Sequence, residues 1–287
     1  MSKILVTGVG GPAGRSVTSL LLERRVSIVG TDMQSIDMDG IRFYQVPPAD
    51  SPDLLAAVYE IASREKVDLL IPTVSEELPV YARGWRWQEE IPALISRAKA
   101  VETANDKYLT SRALLAHEVG VPRFCLPSQV HSPADLAERI GWPCISKPRI
   151  GRGGREVFLR EQEDWPVITA LGDHYILQEF AEGTDYAPNI HVGHGGQAVV
   201  VVLEKTELKE GKVGNAKSVR RVADADVAEL AMKAARAVGL RGPLDIDIRR
   251  KSDGTPVVLE INARFGANIR HAPEVFEAAL AGYLTRS

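Results

Sequence analysis

Two alternating segments constrain this chain more than any other feature. Pro243 to Arg250 and Pro256 to Asn262 both alternate apolar and polar residues, and Ser252-Asp253-Gly254 between them is hairpin-turn chemistry. With Asp253-Gly254 as a two-residue turn, Ser252 pairs with Thr255, Asp247 falls opposite Glu260 and Asp245 falls opposite Asn262. Side chains alternate along a strand, so these four share one face, and beyond them Arg264 follows the parity of Glu260 and Asn262. Leu259, Ile261 and Ala263 then point into the core. Like charges directly opposite on a sheet repel, so Asp247 across from Glu260 calls for a cation between them or beside them. Hard oxygen donors suit Mg²⁺. The competing expectation is a solvated strand face with ordinary charges.

At 287 residues, 45% hydrophobic and 25% charged, the chain has the composition of a globular protein with room for about two cored domains. A net charge of -3 leaves no broad basic surface, so neither nucleic acid nor an anionic membrane is an expected partner. The longest apolar runs, such as Ala198 to Leu203, are far too short to span a bilayer, and Met1-Ser2-Lys3 leads directly into a strand without a signal-peptide pattern. A cytoplasmic location is expected. Cys125 and Cys144 are the only cysteines and have no CxxC spacing, which predicts buried thiols in place of a disulfide or a zinc site.

The β-branched run Lys3 to Gly8 leads into the glycine-rich stretch Gly8 to Gly14, and a helix follows over Arg15 to Arg25. A second strand, Val26 to Asp32, ends in an acid, and helix Pro52 to Glu65 and strand Val67 to Pro72 continue the alternation. A small parallel α/β domain is expected over residues 1–100, with a second domain over 101–287. There, Asn105-Asp106-Lys107 opens a helix running to about His117, strand Trp142 to Pro148 precedes a glycine-rich loop, and strands lie near Ile190 to Lys205. Helix Asp224 to Val238 and the hairpin complete an α+β region. Lys147 ends its strand immediately before Pro148-Arg149-Ile150-Gly151-Arg152-Gly153-Gly154-Arg155. Glycines let backbone N–H groups approach phosphate oxygens closely while nearby cations neutralise charge, although a solvated basic turn has the same composition. No GxxxxGK[ST] occurs, so this is not a Walker A loop.

The Lys147 strand and its glycine loop, then Gln178-Glu179-Phe180-Ala181-Glu182-Gly183-Thr184-Asp185, then Asp247, Glu260, Asn262 and Arg264, resemble in that order the ATP-grasp superfamily. The resemblance is strongest to its carbamoyl-phosphate-synthase-like branch of carboxylate-amine ligases, and it covers nearly the whole chain. It implies a Rossmann-like pre-ATP-grasp domain followed by a two-subdomain ATP-grasp domain. It also implies ATP and Mg²⁺ as cofactors, with Mn²⁺ as the alternative ion. Gln178, Glu179, Phe180 and Ala181 would form the linker that offers backbone groups to adenine, and Asp185 would bind ribose, with Glu182 a weaker candidate. Lys107 and Lys147 match the lysines that hold phosphates, and Gly151, Gly153 and Gly154 match the loop over them. Asp247, Glu260 and Asn262 match the magnesium ligands, and Arg264 the arginine that steadies the transferring phosphate, so Arg264 and Lys147 are the expected catalytic residues. Ala263 stands where many relatives have proline, and Gly153-Gly154 replaces the usual glycine-serine pair. Phe265 to Ser287 follow the hairpin where many relatives carry a further domain, so substrate contacts from that domain are not expected.

The implied activity is an ADP-forming ligase: ATP converts a small carboxylic acid into an acyl phosphate, and an amine or thiol displaces the phosphate. The partners are then small molecules, and a homo-oligomer is allowed. Two other classes remain. Gly8, Gly11 and Gly14 with Asp32 resemble the turn of NAD(P)-dependent oxidoreductases, although no YxxxK accompanies them. A non-catalytic ATP-binding module would keep the ligands without turnover. Arg270 and His271 would face the acceptor or the surface. His117, His191 and His194 are expected to be structural or exposed, and the absence of a GxSxG elbow leaves serine-hydrolase chemistry without a nucleophile.

Overall fold

The computed structural model describes residues 2–85, 91–151, 154–210 and 213–284. Its architecture is mixed α/β, with one parallel and two antiparallel sheets among the described residues. The parallel sheet contains β1 (Lys3–Thr7), β2 (Ser27–Asp32), β3 (Arg42–Gln45) and β4 (Leu69–Ile71) in the order β3-β2-β1-β4. β1 and β4 carry continuous apolar runs because both faces are covered, whereas the edge strand β3 is half-exposed. Ile4 and Val6 pack with Val17 and Leu21 of α1 (Pro12–Glu23), while Leu5 packs with Val58 and Ile61 of α2 (Leu54–Glu65).

The glycine stretch between β1 and α1 is shaped by close packing. Gly8 has φ +63°, and a Cβ on Gly14 would lie 2.1 Å from the Gly8 carbonyl oxygen. The Gly10 N–H donates to Asp32 Oδ2 at 2.9 Å and the Gly11 N–H to the Gly8 oxygen at 2.9 Å. Asp32 therefore braces the glycine turn against the end of β2.

Helices α3 (Leu78–Gly84), α4 (Ala98–Asn105) and α5 (Lys107–Ala116) lead to the second sheet, β5 (Phe124–Cys125), β6 (Cys144–Pro148), β7 (Phe158–Arg160) and β8 (Tyr175–Glu179), ordered β5-β8-β6-β7. One face buries Cys125, Cys144 and Leu177 against Leu136 of α6 (Pro133–Arg139) and Ile168 of α7 (Trp165–Thr169). Both cysteines are free, and burial pushes their thiols up to about 11 and about 12, which leaves them protonated and unreactive.

The third sheet comprises β9 (Asp185–Tyr186), β10 (Asn189–Val192), β11 (Ala198–Val201), β12 (Leu203–Glu210), β13 (Val213–Arg221), β14 (Gly242–Arg250) and β15 (Pro256–Asn262). The order is β11-β10-β14-β9-β12-β13, with β15 also paired to β14. Ile190, Leu244, Ile246 and Ile261 pack on α4, α5 and α8 (Ala225–Val238). Helix α9 (Pro273–Leu284) lies between sheets: Phe276 and Leu280 join Ile4 and Val6 of the parallel sheet and Val201 and Leu203 of the third in one buried cluster. No helix among the described residues is long and apolar enough to cross a membrane.

The hairpin pairs Asp247 with Glu260 and Asp245 with Asn262, although by another route than the two-residue turn expected from the sequence. The Lys251 N–H donates to the Thr255 oxygen at 2.8 Å and the Gly254 N–H to the Lys251 oxygen at 3.0 Å, making a three-residue loop with Gly254 at φ +85°. That loop shifts the register by one, so Ile248 pairs with Val258, and a bulge at Leu259 shifts it back. The bulge also turns Leu259 out of the core, where alternation had placed it, and into a cavity wall.

Candidate active site

A cleft lies between the second and third sheets, with about 840 Å³ of empty space that includes open solvent. Local structure sets two of its lysines. The Asp106 side chain caps α5 by accepting from the Tyr108 and Leu109 amides at 2.9 and 3.2 Å, and it also accepts from Arg149 Nη2 at 2.6 Å. The Lys107 N–H donates to the Arg149 oxygen at 2.9 Å, so the start of α5 is fastened to the end of β6. Lys107 and Lys147 thereby reach the same space. Lys107 Nζ donates to the Gly151 oxygen at 3.1 Å and lies 3.3 Å from Glu260 Oε2, while Lys147 Nζ donates to the Leu259 oxygen at 3.3 Å.

Electrostatics divide the two facing carboxylates. Burial works against ionisation of Glu260, but Lys107 and Lys147 outweigh it and hold this carboxyl down at about 2. At Asp247 burial prevails, helped by Glu260 and Asp245, and the carboxyl rises to about 7 despite Lys205. Lys147 is 6% exposed, and burial lowers it to about 8. Lys205, from β12, was not expected from the sequence. Its Nζ lies 2.5 Å from Asp247 Oδ1 and 3.7 Å from Asp185 Oδ1, and these carboxylates keep its pKa above the usual lysine range although burial opposes the charge. One signal was available, since Lys205 continues the parity of the buried Val201 and Leu203.

Gln178, Glu179, Ala181 and Asp185 line the same cavity, and Phe180 packs beside it under Arg249. Gln178 Nε2 and Asp185 Oδ1 are buried without hydrogen-bond partners among the protein atoms. Glu182 is exposed, so Asp185 is the better placed acid.

Residues 104–268, more than half of the chain, match the family model described as ATP-grasp domain. The chain belongs to the ATP-grasp family. A D-alanine–D-alanine ligase from Cupriavidus pinatubonensis is 26% identical over 204 residues, covering 64% of this chain and 62% of that protein. A second, from Cupriavidus taiwanensis, is 25% identical over 207 residues. The chain thus spans about 62% of the length of these curated relatives. Among solved structures, L-amino acid ligase from Bacillus licheniformis superposes with a TM-score of 0.73 at 17% identity, over 96% of this chain and 70% of that one. N5-carboxyaminoimidazole synthase from Aspergillus clavatus, in complex with ADP and 5-aminoimidazole ribonucleotide, gives 0.72 at 20% identity, over 99% and 77%. At these identities the structures establish the ATP-grasp fold alone.

Within this ATP-grasp fold, Asn262 and Arg264 sit at the seam toward the parallel sheet, outside the wall of the large cavity. Asn262 lines a second cavity with Ser75, Leu78, Val101, Lys107 and Glu260. Arg264 Nη2 donates to Asn262 Oδ1 at 3.1 Å, and its Nη1 donates to the Phe265 oxygen at 2.8 Å and to Asp245 Oδ2 at 3.4 Å. Gly151 and Gly154 edge the large cavity, and Gly153 lies outside the described residues. Arg270 pairs with Glu23 of α1 at 2.9 Å and His271 is exposed, so both belong to the surface. Among the described residues no three of His, Cys, Asp or Glu converge as a metal cage. Asp247, Glu260 and the Asn262 amide oxygen are the donor set that suits Mg²⁺ held jointly by protein and phosphates, since that ion keeps other oxygen ligands beside one or two carboxylates.

Proposed function

We propose that this chain is an ADP-forming ligase that phosphorylates a small carboxylic acid with ATP and passes the acyl group to an amine or a thiol. The observation that carries the reading is the convergence of Lys107, Lys147 and Lys205 with Asp247 and Glu260 in a single cavity that Gln178, Glu179, Ala181 and Asp185 also line. A carboxylate resists nucleophiles because its charge repels them and oxide is a poor leaving group. Moving the terminal phosphoryl group of ATP onto it leaves ADP and an acyl phosphate, from which the nucleophile displaces phosphate. Most of the protein's contribution is then positioning and charge neutralisation.

In this reading Lys107 and Lys147 hold phosphate oxygens under the loop that includes Gly151, Gly153 and Gly154, and Lys205 adds a third cation. Arg264 steadies the transferring group. The backbone of Gln178, Glu179, Phe180 and Ala181 meets adenine, and Asp185 meets ribose. Asp247, Glu260 and Asn262 would hold Mg²⁺, or Mn²⁺ in its place, which neutralises phosphate charge. The second cavity, which shares Lys107 and Glu260 with the first, is where the acid approaches the phosphate. The names of the relatives, D-alanine–D-alanine ligase and L-amino acid ligase, support amino acids as substrates. Residues 1–100 would be the pre-ATP-grasp domain and 101–287 the nucleotide-binding domain of a cytoplasmic enzyme.

Hydroxylamine trapping tests the reaction. With ATP, Mg²⁺ and a panel of amino and small carboxylic acids, hydroxamate and ADP should form together. AMP and pyrophosphate as products would rule out the acyl-phosphate route, and ATP binding without turnover across the panel would leave a non-catalytic module.

A further inference from the structure

Strand β14 carries a third residue on the face of Asp245 and Asp247 that the reaction described above does not use. Arg249 is 8% exposed and lines the large cavity. Its side chain meets three successive parts of the segment that joins the second sheet to the third. The guanidinium carbon lies 5.2 Å from the centre of the Phe180 ring, Nε donates to the Gly183 oxygen at 3.2 Å, and Nε lies 3.5 Å from Asp185 Oδ2. Asp185 pairs with Arg249 in the β9–β14 ladder, so this contact runs directly across the sheet.

The other oxygen of Asp185 is in a different position. Lys205 Nζ approaches Oδ1 to 3.7 Å, an ion-pair distance beyond hydrogen-bond reach, and Oδ1 is buried with no hydrogen-bond partner among the protein atoms. Two cations thus fix the carboxylate while one oxygen keeps unused acceptor capacity in a cavity wall. A buried acceptor without a donor is unfavourable, and a ligand hydroxyl placed there would remove the penalty. The guanidinium is suited to the other half of the arrangement. It is planar, so it can stack on Phe180 and still direct Nε at a carbonyl and a carboxylate, whereas a lysine ammonium offers one point of charge and no plane.

We propose that Arg249 is the positioning residue of the nucleoside subsite: it clamps the Phe180–Gly183 stretch onto β14 and orients Asp185 so that one carboxylate oxygen receives a ribose hydroxyl. The proposal rests on the ATP-binding reading of this cavity. It assigns Arg249 to the hold on the sugar and leaves phosphoryl transfer to the lysines and the carboxylate hairpin. Replacing Arg249 should then weaken nucleotide binding and erase preference for the 2′-hydroxyl, an effect that general loosening of the fold would not produce.

The test compares Mg²⁺-ADP with Mg²⁺-2′-deoxy-ADP by calorimetry on the full chain, for the unaltered protein, Arg249→Lys and Arg249→Met. The unaltered protein should bind the deoxy nucleotide about tenfold more weakly, and both variants should bind ADP about tenfold more weakly while holding the two nucleotides within about twofold of each other. Asp185→Asn should show the same loss of discrimination, and combining it with Arg249→Lys should cost little more. Unchanged ADP affinity and an unchanged deoxy ratio in Arg249→Lys, the milder variant, would overturn the proposal even if Arg249→Met fails to fold. Absence of ADP binding by the unaltered protein would overturn the nucleotide reading and this proposal with it, an outcome distinct from any loss confined to the variants.

Discussion

The charged residues around the cavity hold one another in place, so each replacement has a structural and a chemical consequence. Glu260 stays ionised because Lys107 and Lys147 face it, and Lys205 stays charged because Asp247 and Asp185 do. Glu260→Gln should leave the fold intact by circular dichroism and lower turnover at least about 100-fold, as expected when one aligned electrostatic contact to a transferring phosphoryl group is lost. Retention of full activity would remove Glu260 from the site. Lys205→Met should be costly in a different way, because it leaves the buried Asp247 without its ion-pair partner and Asp185 with Arg249 alone. Breaking a buried pair by removing one partner typically costs about 3–5 kcal/mol, which a urea titration of the nucleotide-free protein would register. A loss below about 1 kcal/mol would mean that Asp247 and Asp185 do not depend on this lysine. Lys205 escaped sequence reasoning because it lies 42 residues before Asp247 in a strand full of alternating charges. Only the sheet order, which sets β12 beside β9 and β9 beside β14, brings the two together.

At the level of elements, the hairpin shows how a local error can cancel. Alternation and turn chemistry correctly oppose Asp247 to Glu260, yet the loop has three residues and the ladder contains a bulge, neither of which a binary pattern encodes. The consequence falls on Leu259, whose position depends on the bulge and which therefore lines the cavity. The parallel sheet was more legible in β1, β2 and β4, which are largely covered and read as apolar runs, than in the half-exposed edge strand β3. The sheet's polar fastening was not legible. Glu65, the last residue of α2 and 6% exposed, accepts from Tyr44 Oη at 2.6 Å, from Arg42 Nη1 at 2.9 Å and from Lys3 Nζ at 3.3 Å, so it ties α2 to β3 and β1. The Tyr44 hydrogen bond, with Arg42 and Lys3 and against the effect of burial, holds the Glu65 carboxyl down at about 2. A carboxyl whose folded pKa is depressed stabilises the fold fully above its unfolded value near 4.5, and that contribution disappears as pH falls toward 2. Urea midpoints measured between pH 6 and 2 should therefore decline through about 4.5 to 2 more steeply in the unaltered protein than in Glu65→Gln. The variant should also be the less stable of the two at pH 7. Parallel profiles would show that Glu65 ionises alike in the folded and unfolded chains.

For the molecule as a whole, the decisive contact is one that the sequence could not locate. Periodicity does not say which sheet receives the residues after the hairpin, and a boundary near residue 100 invites the view of two bodies joined in series. The structure instead sets Phe276 among Ile4, Val17 and Leu21 on one side and Val201 and Leu203 on the other, tilted against Phe265 at 5.4 Å between ring centres and beneath the Arg24 guanidinium at 5.0 Å. Arg24 also pairs with Glu277, and Arg270 with Glu23, so charged contacts flank the apolar one. Truncating a fully buried phenylalanine to alanine costs about 3–5 kcal/mol through lost burial and the cavity left behind. If α9 joins the parallel sheet to the third sheet, Phe276→Ala should lower hydrogen-exchange protection in β1 and in β11 and β12 together, although these strands are distant in sequence. If α9 merely rests on one body, protection should fall within residues 273–284 and in one sheet only. The first outcome would make the parallel sheet a fixed wall for the seam where Ser75 meets Asn262, with Ser75 Oγ donating to Asn262 Oδ1 at 3.5 Å. The same variant would then loosen the second cavity, because the wall that carries Ser75 would no longer be held against the strand that carries Asn262.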